Sequence, residues 1–274
     1  MTIPTITLND GTAMPRLGFG VFQVPDDETT AAVSTALEVG YRSIDTAAVY
    51  GNERGVGRAI ADSGIPRDEL FVTSKAWNAT QGYDAVRRSY DESLARLGLE
   101  TLDLYLIHWP LLGDGEFAET WRGLEAISAE GRVRTIGVSN FQPAQLALLR
   151  DRGTVVPAVN QVELHPAFAN RAVVEANDAA GIVTEAWSPL AQGAVLRDPA
   201  ITAIAARHER TPAQVVLRWH LQQGRVVIPK SVTPARIAEN FDVFGFELSP
   251  EELTAIDALD RDGRTGPHPD VFRG

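Results

Sequence analysis

The chain contains no cysteine among its 274 residues. Disulfide bonds, thiolate catalysis and zinc sites with cysteine ligands are therefore excluded. The sequence also has no apolar run near the roughly 18 residues that a membrane-spanning helix needs. Its first residues, MTIPT, lack the basic and apolar regions of a signal peptide. We therefore expect a cytoplasmic protein that does not associate with membranes.

Lysine is scarce as well, since Lys75 and Lys230 are the only two beside 23 arginines, and the net charge is −11. A chain this negative is repelled by phosphate backbones, so nucleic acid and anionic lipid are disfavoured as general partners. The composition, 44% apolar and 22% charged, is typical of a globular protein. The length is close to the roughly 250 residues of one α/β barrel. We therefore expect a single domain over residues 1–274, present as a monomer.

Strand-like and helix-like patterns alternate along the chain. The predicted strands cover residues 17–20, 42–45, 70–75, 102–108, 135–139, 158–162, 183–187 and 226–229. The predicted helices cover residues 26–39, 53–62, 83–97, 116–130, 143–150, 171–180, 211–223 and 234–242. Glycines expected to cap helix ends in the left-handed conformation are Gly40, Gly64, Gly98, Gly131, Gly181 and Gly224.

Eight βα units without a composition break predict a single (β/α)8 TIM barrel. An open, doubly wound sheet is the alternative that the pattern leaves. Residues 5–8 and 13–15 flank an Asn-Asp-Gly turn, which predicts an N-terminal β-hairpin closing the bottom of the barrel. An extra C-terminal helix is predicted over residues 250–258, followed by a polar tail over residues 261–274.

Three of the predicted strands end on an ionisable residue, namely Asp45, Lys75 and His108, and Tyr50 follows the first of them. Consecutive parallel strands bring their carboxyl ends to one edge, where barrel enzymes place reactive groups. A lysine kept in a chain that otherwise uses arginine suggests a need for a compact point charge. The pattern predicts a proton-transfer site built from these four residues.

The chemistry of the four side chains supports this interpretation. A phenol has an unperturbed pKa of about 10, and a neighbouring ammonium lowers that value, as Lys75 would do for Tyr50. Asp45 supplies the counter-charge that a partly buried Lys75 needs. His108 offers an N–H that orients a substrate carbonyl. Each residue alone also has a structural interpretation, as a turn cap, surface charge, core histidine or loop closure, and only their conjunction on adjacent strands indicates a site.

The sequence resembles the aldo-keto reductases, and within them the bacterial 2,5-diketo-D-gluconic acid reductase group. The resemblance rests on GYRSIDTAAVYGNE at 40–53, LDLYLIHWP at 102–110, IGVSNF at 136–141, NQVELHP at 160–166, TPAQ at 211–214, LRWHLQ at 217–222 and IPKS at 228–231. It implies the same roles: Tyr50 as general acid, Lys75 and Asp45 as its tuning pair, and His108 as the carbonyl orienter. It also implies NADPH (NADP+) as cofactor, and an aldehyde, ketone or dicarbonyl as the substrate.

No G-x-G-x-x-G dinucleotide fingerprint follows the first strand, so another phosphate site is needed. In barrels of this class phosphate often lies in the loops after strands 7 and 8, near a helix N-terminus. The resemblance assigns Lys230, Ser231, Thr233 and Arg236 to the 2′-phosphate, with Val232 among them, and Glu239 and Asn240 to the adenine. Two cations suit NADPH better than NADH.

The nicotinamide end is predicted at the ends of strands 5, 6 and 7. Ser139, Asn140 and Gln161 offer donors and acceptors for a carboxamide, and Trp187 offers a ring face for stacking. By resemblance, the pyrophosphate lies along Ser188, Leu190, Gln192 and Gly193.

Substrate contacts are expected from Phe22, Trp77, Trp109 and His108, which form aromatic walls around a pocket for a small carbonyl compound. A short loop at residues 111–115 and the short tail imply an open mouth and loose selectivity. His268 either reaches this mouth or, as we expect, lies in a disordered tail. No metal site is expected, because no metal-ligand spacing follows any strand.

Two other functions stay open from the sequence. One is a nicotinamide-cofactor-binding regulatory or sensor protein of the same fold with little turnover. The other is an unrelated barrel hydrolase or isomerase.

Overall fold

The computed structural model describes residues 3–111 and 116–272. Most of the short loop predicted at residues 111–115 lies outside the described residues, and so do the last two residues of the tail. Within the described residues, no helix combines the length and the apolar character that crossing a membrane requires.

Eight parallel strands form one sheet in strictly sequential order, so each strand pairs with its chain neighbours. The strands are β3 Phe19–Gly20, β4 Ser43–Asp45, β5 Phe71–Ala76, β6 Leu102–Ile107, β7 Val133–Ser139, β8 Val159–Glu163, β9 Val183–Trp187 and β10 Val226–Val227. A parallel bridge between Leu17 and Val227 joins the last strand to the segment before the first, and the Gly18 N–H donates to the Val227 carbonyl at 2.9 Å. The sheet therefore closes on itself, which confirms the predicted barrel.

An antiparallel hairpin of β1 Thr5–Thr7 and β2 Ala13–Pro15 precedes the barrel. Leu8 and Met14 from this hairpin belong to a buried cluster that includes Phe71, Leu104 and Val159 from the barrel strands. Those barrel residues lie in the first half of their strands or at their start. The hairpin therefore covers the amino-terminal end of the barrel, as predicted.

The helices surround the sheet, and most begin and end within two residues of their predicted limits. They are α1 Asp26–Val39, α2 Glu53–Asp62, α3 Tyr83–Leu97, α4 Glu116–Ala129, α5 Pro143–Arg152, α6 Arg171–Ala180, α7 Pro199–His208, α8 Pro212–Gln222, α9 Pro234–Phe241 and α10 Pro250–Asp257. The sequence reasoning missed α7. The start of α7 has the usual N-cap signature: Asp198 is followed by a proline, and its carboxylate accepts a hydrogen bond from the Ala200 N–H.

Helix termini follow the predicted chemistry at most positions. The six glycines expected to cap helix ends all have positive φ. Thr211 and Gln214 form a reciprocal capping box at the start of α8. At the start of α9, Thr233 makes no side-chain cap, and the Ser231 hydroxyl accepts a hydrogen bond from the Thr233 N–H.

Candidate active site

Four side chains meet at the carboxyl end of β4, β5 and β6, an edge that we call the catalytic edge. Asp45 is the last residue of β4, Lys75 is the fifth of β5, and His108 directly follows β6. Tyr50 ends a short 3₁₀ helix over Ala48–Tyr50. Because the three strands are neighbours in register, residues far apart in sequence come within contact distance.

Lys75 and Asp45 form a buried ion pair. The Lys75 Nζ lies 2.5 Å from the Asp45 Oδ1 and donates a second bond to the Thr46 carbonyl at 3.0 Å. Lys75 is fully buried and Asp45 is 3% exposed. Burial lowers the pKa of Lys75, but its acidic neighbours, Asp45 first among them, outweigh burial, and the pKa lies above its ordinary value. Lys75 is therefore a permanent cation inside the barrel.

Tyr50 is a neighbour of both this cation and His108. The Lys75 Nζ is 5.2 Å from the centre of the Tyr50 ring, and the centres of the Tyr50 and His108 rings are 5.7 Å apart. Burial raises the pKa of Tyr50, and Lys75 opposes that rise without cancelling it. The expected direction for the phenol was therefore wrong: Lys75 acts as predicted, but desolvation is the larger effect. At neutral pH Tyr50 holds its proton.

His108 is held as a neutral imidazole. Burial, and then the charge of Lys75, lower the pKa of His108 well below its ordinary value. Its Nδ1 is buried and has no hydrogen-bond partner among the described residues. A proton on Nε2 avoids leaving a buried donor unpaired, and it provides an N–H for a substrate oxygen. The Trp77 ring packs edge-on against this imidazole at 5.1 Å.

A second buried carboxyl, which the sequence reasoning missed, lies beside the pair. Glu185 in β9 accepts a hydrogen bond from the Gln161 Nε2 at 2.8 Å, and the same nitrogen donates to the Asp45 Oδ2 at 2.8 Å. A glutamate inside the apolar strand pattern of residues 183–187 was the available signal. Because both bonds use the Gln161 amide nitrogen, a carboxamide ligand would meet only the Gln161 oxygen.

The other residues predicted for the nicotinamide end form one hydrogen-bonded cluster. The Asn140 Nδ2 donates to the His108 carbonyl at 3.0 Å and to the Ser139 Oγ at 3.1 Å. The Trp187 Nε1 donates to the Asn140 Oδ1 at 2.9 Å, which fixes the plane of the half-buried indole. Trp187 is thus held as a flat surface beside the catalytic edge, as stacking requires.

The loop after β9, where the pyrophosphate was predicted, has an unusual backbone. Ser188, Ala191 and Gln192 have positive φ although none is glycine, and Gly193 follows with φ of 90°. Such conformations are uncommon outside glycine and often mark ligand-binding loops. Leu190 packs against the core and anchors the loop.

The loop after β10 leads into α9 and presents two exposed cations. Lys230 and Arg236 are exposed, and neither forms an ion pair within the described residues. Ser231 is half-buried, Val232 and Thr233 are exposed, and Asn240 is buried. Glu239, predicted at the adenine, accepts a hydrogen bond from the Thr211 hydroxyl at 2.8 Å. The cations at this helix start have the charge and the freedom to bind a phosphate.

Aromatic side chains line the catalytic edge as predicted. The centres of the Phe22 and Tyr50 rings are 5.0 Å apart, and Phe22 is 54% exposed. On the other side Trp109 contacts Phe272 from the C-terminal tail with ring centres 4.4 Å apart. The tail therefore adds an aromatic ring beside Trp109 that the sequence did not predict.

Residues 261–272, which we call the C-terminal strap, are anchored at the carboxyl end of β8 by Glu163. Its carboxylate accepts from the Thr265 N–H and hydroxyl at 2.5 and 2.6 Å and from the Gly266 N–H at 3.0 Å. A Cβ placed on Gly266 would lie 2.4 Å from the Trp187 ring, so only glycine fits there. The expectation of a disordered tail was therefore wrong. His268 lies in this strap, is half exposed and accepts from the Asp270 N–H.

No group of three or more histidine or acidic side chains suited to hold a metal ion occurs in residues 3–111 and 116–272. Among the described residues, the ionisable groups that act on Tyr50 are Lys75, Asp45 and Glu185.

Comparison with known proteins identifies the family to which a chain with this geometry belongs. Residues 11–261 match the model of the aldo/keto reductase family. The chain is 50% identical to a glyoxal reductase of Bacillus subtilis, with 97% of this chain and 96% of the relative covered. It is 48% identical to methylglyoxal reductase DkgA of Escherichia coli, with both chains fully covered. A variant of the protein Gox0644, solved with NADPH, superposes with a TM-score of 0.95 at 49% identity, and 99% of each chain is covered. The family and the branch predicted from the sequence are confirmed, and the chain belongs to the aldo/keto reductase family.

Proposed function

We propose that the protein is an NADPH-dependent oxidoreductase that reduces aldehydes, ketones or dicarbonyls to alcohols. The observation that carries the proposal is the fully buried Lys75, paired with Asp45 at 2.5 Å and facing the Tyr50 ring at 5.2 Å. A buried ion pair is costly to maintain, and it is expected where it tunes a reacting group. Here that group is a phenol, which donates a proton to a developing alkoxide.

The residues act at defined points of the reaction. Bound NADPH supplies a hydride to the carbonyl carbon. His108, being neutral, donates its N–H to the carbonyl oxygen and shares the negative charge that develops there. Tyr50 then gives its proton to the same oxygen, and Lys75 stabilises the phenolate that remains. One hydride and one proton convert the carbonyl to an alcohol, so the reaction balances.

The cofactor assignment is supported by charge. Lys230, in the loop before α9, and Arg236, in its first turn, are exposed and form no ion pair with any described residue, so an extra phosphate on the ribose would gain charge-assisted hydrogen bonds there. Trp187, fixed by its bond to Asn140, offers the stacking surface at the other end of the cofactor. The loop of left-handed residues after β9 directly follows Trp187 in the chain and is the proposed pyrophosphate site.

The pocket favours small carbonyl compounds. Phe22, Trp77, Trp109 and Phe272 surround the catalytic edge with aromatic surface, and an aromatic wall with few polar anchors binds small, weakly polar substrates. Relatives named as reductases of glyoxal and methylglyoxal support dicarbonyls in particular.

The test is a Tyr50→Phe variant assayed by loss of NADPH absorbance with methylglyoxal. Removal of the proton donor should lower kcat by roughly 10²–10⁴, the span of general acid catalysis. NADPH binding, followed by quenching of tryptophan fluorescence, should persist. Tyr83→Phe is the matched control, because Tyr83 is exposed at the start of α3. Ordinary turnover by Tyr50→Phe would refute the assignment, and wild-type protein without turnover would favour a sensor.

A further inference from the structure

Glu185 is a buried acid next to the ion pair that the proposed reaction uses, yet it has no role in that reaction so far. It is 1% exposed and lies directly opposite Gln161 on the neighbouring strand. Through the Gln161 amide it is connected to Asp45, which holds Lys75. A continuous chain of polar groups therefore runs from Glu185 across the barrel to the ammonium beside Tyr50.

The positive and negative charges in this hydrogen-bonded series of polar groups do not cancel. The two carboxyls, Asp45 and Glu185, face one cation, Lys75, so full ionisation leaves one uncompensated negative charge in the interior. Asp45 contacts the ammonium directly, whereas the bond recorded for Glu185 comes from a neutral amide. The proton is therefore expected on Glu185. In agreement, burial and then the charge of Asp45 raise the pKa of Glu185 to about 8.

The surroundings of Glu185 contain few other charges that would change this balance. β4 presents Asp45, β5 presents Lys75, and the segment after β4 presents Tyr50. The two flanking strands place Gln161 and Val226 opposite Glu185, and neither of these residues titrates. Asp45, Lys75 and Tyr50 are thus the groups that respond when Glu185 gains or loses its proton.

We propose that Glu185 is a positioning residue for proton transfer: its ionisation determines how strongly Lys75 acts on Tyr50. With Glu185 neutral, Asp45 alone offsets the ammonium, and the phenolate of Tyr50 is stabilised. With Glu185 ionised, a second negative charge opposes the phenolate, so Tyr50 retains its proton. Ionisation of Glu185 would thereby extend carbonyl reduction, which needs the phenol, to higher pH and delay alcohol oxidation, which needs the phenolate. This inference rests on the proposed function.

The experiment is a pair of pH profiles, from about pH 6 to about pH 10, for carbonyl reduction and for oxidation of the matching alcohol. Glu185→Gln keeps an acceptor for Gln161 but removes the ionisation. We expect the alkaline limb of reduction and the onset of oxidation to move down together by about one pH unit, at the low end of the effect of a nearby charge. The change should be in kcat, with KM for the carbonyl little altered.

Glu53→Gln is the matched control. Glu53 is equally buried but bonds to Ser74 and Arg96 outside this chain of groups, so its profile should not move. Unshifted limbs in Glu185→Gln, with activity either unchanged or lowered equally at every pH, would overturn the proposal. An inactive Tyr50→Phe beside an unshifted Glu185→Gln would leave the proposed function standing and reject this inference alone.

A measurement on the wild-type protein keeps the proposal testable if Glu185→Gln does not fold. Infrared difference spectra recorded across the same pH range should contain a buried carboxylic acid band that disappears as pH rises through about 8. Tyr50→Phe should retain this band, because Glu185 does not depend on the phenol to be protonated. A wild-type spectrum without a carboxylic acid band near neutral pH would reject the proposal.

Discussion

Replacement of Lys75 by methionine tests the centre of the site through protein stability. Lys75 is fully buried, its Nζ lies 2.5 Å from Asp45 and 3.0 Å from the Thr46 carbonyl, and Asp45 is 3% exposed. Methionine fills most of the volume but leaves the Asp45 carboxylate without its counter-charge. Removing one partner of a buried ion pair costs about 3–5 kcal/mol. That is a large share of the roughly 5–15 kcal/mol that stabilises a typical protein.

The assay is urea unfolding followed by tryptophan fluorescence, with the free energy of unfolding extrapolated to water. Lys230→Met is the matched control, because Lys230 is exposed and unpaired within the described residues, and its unfolding free energy should change by less than about 0.5 kcal/mol. The double variant Lys75→Met/Asp45→Asn removes both charges and should regain most of the lost stability. Carbonyl reduction should be abolished in the Lys75→Met variant and in the double variant. A Lys75→Met protein as stable as wild type, or a double variant no better than the single one, would refute the ion-pair reasoning.

Three further predictions concern the cofactor, the strap and pH. Arg236→Gln should weaken NADPH binding at least about tenfold and leave NADH binding near its wild-type value, because a charge-assisted hydrogen bond contributes about 1.5–3 kcal/mol. Fluorescence titration measures both affinities. An equal loss of affinity for the two cofactors would contradict the 2′-phosphate assignment. Phe272→Ala should raise KM for a small carbonyl by about two- to tenfold, the worth of an aromatic contact, without changing NADPH affinity, and an unchanged KM would exclude Phe272 from the pocket. For Glu185, burial and Asp45 raise the pKa to about 8 in the folded protein from an ordinary 4.5. The folded state therefore binds the extra proton between these values, and wild-type stability falls as pH rises through that window. The glutamine in Glu185→Gln does not titrate. The unfolding free energy of this variant, relative to that of wild type, should therefore rise by on the order of a few kcal/mol between about pH 5 and about pH 8. An equal difference between the two proteins at both pH values would contradict the raised pKa.

Much of the fold could be predicted from local sequence patterns. The eight strands and most helices were predicted within a few residues, because apolar periodicity and helix-capping glycines are properties of short segments. The helix Pro199–His208 was missed because only one helix was expected between β9 and β10, although Asp198 and the proline after it mark its start. Parallel order then places Asp45, Lys75 and His108 at one edge, so the sequence also predicted which groups meet there.

What depends on three-dimensional surroundings was not predictable. The sequence shows that Lys75 and Tyr50 are near each other, but the direction of the Tyr50 pKa depends on how much desolvation competes with the ammonium. The pairing of Glu185 with Gln161 and Asp45 joins three strands across the barrel interior. No local pattern encodes such a contact.

The sequence by itself determined the barrel, the family and which four residues meet at the proposed active site, because periodicity and motif spacing act over short stretches of chain. Only the tertiary structure decided the balance of charge around the phenol and the course of the strap. Glu163 and Thr265 are about a hundred residues apart, yet their hydrogen bonds hold Phe272 near Trp109. Contacts of that kind arise from packing of the whole chain, and packing is not a property of any segment.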